Sequence, residues 1–264
     1  GTPLTTGSFT ATLEASNQFG SYEKTLALEI RDYSAWRFSS DVTFPGYIGA
    51  SEISDFPVYL ELNDSLPGFT YEQFASPFGY DLRFVSIATN EELEYEIVKW
   101  DPTGKSSFWL KLPELNASTS IKALWGNHNA LVQPEYSKDG RIWSKFRGVW
   151  HMDGTADDLV KESSSSFHAI PYNFETLRAP GVIGTALSFD GVNDYLDMPL
   201  DSHPPADARQ VTFSFWSYGG TRHLNNNSIL ESGSSLGRHL NIHLPWSNAR
   251  VYWDAGVGGI DRIE

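Results

Sequence analysis

Apolar and polar residues alternate with a period of two in one short run after another along this chain, and turn-forming residues separate the runs. Phe9-Thr-Ala-Thr-Leu-Glu-Ala15 and Tyr22-Glu-Lys-Thr-Leu-Ala-Leu-Glu-Ile30 flank the turn formers of Ser16-Asn-Gln-Phe-Gly-Ser21, which predicts one hairpin over residues 1–32. Phe56–Leu62, Asp81–Val85, Tyr95–Trp100, Ser107–Leu112 and Ile121–Trp125 carry strand-type residues, with a short helical turn around Tyr71–Phe74. This spacing restricts the chain to an all-β fold and predicts a small antiparallel β-sandwich over residues 33–128.

A lone hairpin is marginal in water, so residues 1–32 are expected to pack on something else: missing strands, the next domain or another molecule. Residues 129–147 hold Pro134, Asp139-Gly140 and mixed charge, and read as a connector. Their aromatics Tyr136, Trp143 and Phe146 are expected to pack against both neighbours. The third unit spans residues 148–264. Within it Leu187 and Phe189 alternate with polar neighbours, Gly191, Asn193 and Asp194 form a turn, and Leu196 and Met198 resume an apolar face, which predicts a hairpin over 181–199. Leu240, Ile242 and Leu244 mark a strand, and Val251 and Trp253 another.

Charge narrows the partners. With 33 acidic and 19 basic residues the net charge is −14, which repels phosphate backbones and anionic membrane surfaces, so neither nucleic acid nor membrane insertion is expected. No apolar run reaches the roughly 18 residues of a membrane span. The absence of cysteine excludes disulfides, iron–sulfur clusters and thiolate zinc sites.

Several ordered segments resemble known families. Gly79-Tyr-Asp-Leu-Arg-Phe84, Tyr95-Glu-Ile97 with Trp100-Asp101 and Gly104, Phe108-Trp-Leu-Lys-Leu-Pro113 and Trp125-Gly-Asn127 resemble the bacterial family called domain of unknown function 2341. That family occurs in large secreted or surface proteins and implies no activity. Val149-Trp-His-Met-Asp153, the 181–199 stretch and Val211-Thr-Phe-Ser-Phe-Trp-Ser217 resemble the start of a laminin-G-like domain, a concanavalin A-like jelly roll. Ala15, Asn17, Gly20 and Ser21 resemble the closing turn of a bacterial immunoglobulin-like repeat. Together these imply a partial jelly roll after the sandwich, and a chain excerpted from a longer extracellular or cell-surface protein.

The implied chemistry is recognition. Concanavalin A-like sandwiches are recruited to bind polysaccharide or surface glycan, whose C–H faces stack on aromatic rings. Trp216, Tyr218, Trp246 and Tyr252 are the candidate stacking residues, with Arg238, His239, Asn241 and His243 as hydrogen-bonding partners. Trp253, although aromatic, falls by alternation with Val251 on an apolar face. The laminin-G resemblance also implies a structural Ca2+ held by Asp153 and Asp190. Two carboxylates fall short of the six to eight oxygens that calcium needs, and Asp190 and Asp194 equally suit the bonding of turn amides. A zinc pair from His239 and His243 is not expected, because four residues along a strand separate them by about 13 Å. The chain lacks Glu-x-Asp-x-x-Glu, Gly-x-Ser-x-Gly and a phosphate loop, so it is not expected to be an enzyme. The alternatives are an accessory region of a secreted polysaccharide-degrading enzyme and a structural segment of a fibre or adhesin that pairs with neighbouring domains or copies of itself.

Overall fold

The structure, a computed structural model, describes residues 7–152, 160, 162–164, 167–175, 178–199, 210–219, 228–234, 237–244, 248, 250–255 and 261–263. The chain divides into two units, residues 1–149 with 163–166, and residues 150–162 with 167–264.

The first unit opens on β1 (Gly7–Asn17) and β2 (Gly20–Ile30), an antiparallel ladder in unbroken register from Gly7↔Ile30 to Asn17↔Gly20. Asn17 closes the turn by accepting the Phe19 amide at 2.8 Å. Alternation gives the ladder one face of Phe9, Ala11, Leu13 and Ala15, the last three opposite Leu26, Lys24 and Tyr22. The pair forms a two-stranded sheet of its own, and its apolar face stays open, with Leu13 at 57% and Tyr22 at 71% exposure.

The rest of the first unit is a β-sandwich. It is built from β3 (Phe38–Thr43), β4 (Ile53–Leu62), β5 (Arg83–Ser86), β6 (Glu92–Leu93), β7 (Tyr95–Lys99), β8 (Ser106–Leu115) and β9 (Ser120–Trp125). One sheet has the order β3-β9-β5-β6 and the other β4-β8-β7, antiparallel throughout. Period-two alternation sends Phe108, Leu110 and Leu112 of β8 and Ile121, Ala123 and Trp125 of β9 inward. They join Phe84, Tyr95 and Leu82 in one core, and each large apolar side chain taken out of water there contributes about 1.5–3 kcal/mol. The expected strands are all present. β3 and β6 are additional: β3, Phe-Ser-Ser-Asp-Val-Thr, is too polar to announce itself, and β6 is only two residues long.

Residues 129–147 belong to this unit. They form 3-10 turns at Glu135–Ser137 and Arg141–Trp143, and Ile142 and Trp143 are buried. The Tyr136 hydroxyl donates to Glu92 at 2.5 Å, and the Trp143 indole packs edge-on against Trp109 with ring centroids 5.3 Å apart. The stretch expected as a connector is therefore a wall of the first unit.

The second unit contains β10 (Ile170–Tyr172), β11 (Arg178–Pro180), β12 (Thr185–Leu187), β13 (Tyr195–Asp197), β14 (Leu230–Ser234), β15 (Gly237–His243), β16 (Tyr252–Ala255) and β17 (Asp261–Ile263). The last four make an antiparallel sheet in chain order. The strands on either side of Gly191 do not pair with each other, as 181–199 was expected to do. β12 pairs with β11 across a turn closed by the Gly181 amide on the Gly184 carbonyl, and β13 pairs with β10, where Tyr172 and Tyr195 stack at 4.8 Å. All described regular structure is strand or short 3-10 turn, so the fold is all-β.

Candidate functional site

The β14–β17 sheet gathers the sequence-designated residues most closely. Its register sets Leu230 opposite Ile242 and Ile242 opposite Trp253, which gives one apolar face, to which Phe213 adds a ring contact with Trp253 at 5.9 Å. The other face carries Glu231 opposite Asn241, Asn241 opposite Asp254 and His243 opposite Tyr252. His243 Nε2 lies 3.6 Å from Asp254 Oδ2, and Asn248 donates to the Tyr252 hydroxyl at 2.5 Å.

This polar row is covered: Asn241, His243 and Tyr252 are each about as buried as the core. Neither amide atom of Asn241 finds a hydrogen-bond partner among the described residues, a deficit of about 1–3 kcal/mol per unsatisfied group. The three residues thus sit together beneath the surface. Asp254 and Glu231 complete the row, and sequence reasoning passed over them. The signal that finds them is polar alternation on β14 and β16 in step with that on β15.

Trp216 and Tyr218 are placed differently. They lie two positions apart in residues 210–219, which carry no strand pairing among the described residues, with Trp216 76% and Tyr218 100% exposed. Arg238 and His239 lie on β15, with Arg238 opposite Gly233; their side chains, and the whole of Trp246, fall outside the described residues.

The calcium ligands divide likewise. Asp153 lies outside the described residues. Asp190 Oδ1 accepts the Val192 amide at 2.7 Å and the Asn193 amide at 3.2 Å, and these amides hold its carboxyl below the usual carboxylate range. Asp194 in turn accepts the Asp190 amide at 2.8 Å. The carboxylates serve the turn. No group of three or more His, Asp or Glu side chains able to hold a metal occurs among the described residues.

In the first unit, a loop between the 3-10 turn Tyr71–Gln73 and β5 is tied down by buried hydrogen bonds. Asp81 is fully buried, and its two carboxylate oxygens accept four main-chain amides: Ala75 at 3.1 Å, Ser76 at 2.9 Å, Gly126 at 2.7 Å and Asn127 at 3.3 Å. Its own carbonyl accepts the Trp36 indole at 2.8 Å. Gly79 takes a left-handed conformation with φ of +70°, and a Cβ there would fall 2.3 Å from the Trp100 ring, whose Nε1 donates to the Pro77 carbonyl at 2.8 Å. Arg83 turns inward to the carbonyls of Tyr80 and Leu82, and pairs with Glu92 at 3.1 Å. Above this frame Phe78 is 59% exposed, its ring 5.4 Å from that of Tyr80 and inclined by 31°.

A nearby cleft of about 290 Å³ is lined by Glu91, Glu92, Glu94 and Asp55 together with Arg31 and Lys111. Four carboxylates face two basic side chains there, so the lining is net acidic, with Glu94 offset by Lys111 at 3.5 Å and Arg141 at 3.8 Å.

Residues 79–150 match the family Domain of unknown function (DUF2341). The matched stretch runs from the left-handed Gly79 through Asp81, β5 to β9 and the buried Ile142 and Trp143. The matched stretch therefore takes in the 129–147 wall. The match covers well under half of the chain, and no curated protein or solved structure matches it.

Proposed function

We propose that this chain is a non-catalytic, glycan-recognising part of a bacterial extracellular or cell-surface protein. In this reading the second unit is laminin-G-like and the DUF2341 module is its rigid neighbour in sequence. The observation that carries it is the exposure of Trp216 and Tyr218, two positions apart on a stretch anchored through Phe213 to Trp253. Aromatic rings left in water at such a spacing offer flat apolar faces, and carbohydrate C–H faces are suited to cover them. The buried Asn241–His243–Asp254 row then supports the sheet beneath and does not touch ligand.

Affinity electrophoresis of the full chain in gels containing plant and marine polysaccharides tests this. Retardation by at least one of them, lost in Trp216→Ala and Tyr218→Ala, is the expected result. Unimpeded migration in every gel overturns the reading.

A structural role in a fibre or adhesin is favoured by one observation, the open apolar face of β1–β2. An amphipathic ladder of two strands that pairs with no third among the described residues is a template for pairing with another chain. Light scattering separates the readings: concentration-dependent self-association favours the fibre, and a monomer at all concentrations removes it.

A further inference from the structure

We propose that Phe78 and Tyr80 of the DUF2341 module form a stacking platform for the ring face of a neutral saccharide. This inference rests on the first unit alone and is independent of the second-unit reading.

The first ground is accessibility combined with rigidity. Phe78 stands 59% exposed and contributes little to the core, yet the loop that carries it is fixed from below. Asp81 binds four amides, the Gly79 backbone lies on the Trp100 ring, and Ser76 Oγ accepts the Phe78 amide at 3.2 Å. A binding loop ordered before its ligand arrives loses little further conformational entropy on association.

The second ground is shape and polarity. With centroids 5.4 Å apart and planes 31° from parallel, the partly buried Tyr80 ring packs against Phe78, whose exposed part presents an apolar surface to solvent. The Tyr80 hydroxyl, on a partly exposed residue, takes no hydrogen bond among the described residues and can both donate and accept, as sugar hydroxyls require.

The third ground is charge. The loop's two charged side chains are consumed internally, Asp81 by amides and Arg83 by carbonyls and Glu92. No fixed charge of the loop is left to attract an ionic ligand, and the net charge of −14 disfavours uronic or sulfated polymers. A neutral sugar face satisfies all three conditions.

The test is affinity electrophoresis of the full chain against hydroxyethylcellulose, xylan, galactomannan and laminarin, with anionic alginate alongside. Phe78→Ala and Tyr80→Ala are compared with Trp216→Ala/Tyr218→Ala, so that failure of one platform is read separately from failure of the other. The expected result is retardation by at least one neutral polymer that persists in the Trp216→Ala/Tyr218→Ala variant, weakens about tenfold or more in Phe78→Ala, and is abolished in the Phe78→Ala/Tyr80→Ala double variant. Phe78→Ala should melt within a degree or two of the parent, because its ring is mostly in solvent. Unchanged retardation in the double variant, absence of retardation by every neutral polymer, or stronger retardation by alginate than by any of them overturns the proposal.

Discussion

The Gly126 amide donates to Asp81 Oδ2 at 2.7 Å and so ties the end of β9 to the loop that enters β5. One carboxylate does the work of a strand ladder where none can form, since the four amides it accepts point into the interior from two separate segments. Replacing Asp81 with Ala leaves those amides unsatisfied at about 1–3 kcal/mol each, only partly relieved by water entry. We expect a loss of about 3 kcal/mol or more, read as a lowered urea midpoint of the first unit. Asn at 81 should recover a minor part, because its NH2 group opposes amides that need an acceptor.

Gly79→Ala meets two obstacles at once: the left-handed φ of +70°, and the Trp100 ring 2.3 Å from the new methyl. The ring cannot retreat without breaking its hydrogen bond to Pro77 and its edge contacts with Phe74 and Tyr71. A destabilisation of about 2 kcal/mol or more is expected, together with an altered tryptophan emission spectrum. An unchanged spectrum and midpoint would show that the loop is looser than described.

Tyr95 lies in the core and donates to the Leu82 carbonyl at 2.9 Å, and burial pushes its phenol well above the ordinary tyrosine value. Burial does the same to Tyr136. A raised folded-state value favours the neutral phenol in the native protein. The resulting stability is therefore fully present below about pH 10, where the unfolded phenol begins to ionise, and is lost as pH rises further. Chemical denaturation as a function of pH should show a plateau that falls away above about pH 10. Tyr95→Phe should cost about 1 kcal/mol at neutral pH and flatten the alkaline decline.

Trp143 is buried, and its indole donates to Glu96 Oε2 at 2.5 Å. Truncating it to Ala should cost about 3–5 kcal/mol. A fragment of the first unit ending at residue 128 should likewise melt well below one ending at 149. Equal melting temperatures would return residues 129–147 to the status of a linker.

The sandwich was legible where alternation is strict, as in Ser107–Leu112, whose inward Phe108, Leu110 and Leu112 need no tertiary information to be found. Pairing partners were not. The run 185–197 shows alternation on both sides of Gly191, but alternation is silent on which strand lies alongside, and Tyr195 stacks on Tyr172 instead of folding back. The same limit explains the fate of Asn241, His243 and Tyr252. Period two places them on one face, while whether that face meets water is decided by chain far away in sequence. Asp81 was read as the first residue of a strand, and nothing local reveals that amides 45 residues downstream converge on it.

The frame beneath Phe78 and Tyr80 consists of main chain, Gly79, Asp81 and the Trp100 ring, and neither displayed side chain is needed to hold it. The module thereby separates what must stay constant from what is free to change. A substitution at Phe78, whose ring is mostly in solvent, alters that surface at little cost to folding. Two positions suffice to retune the surface that such a module shows to its surroundings.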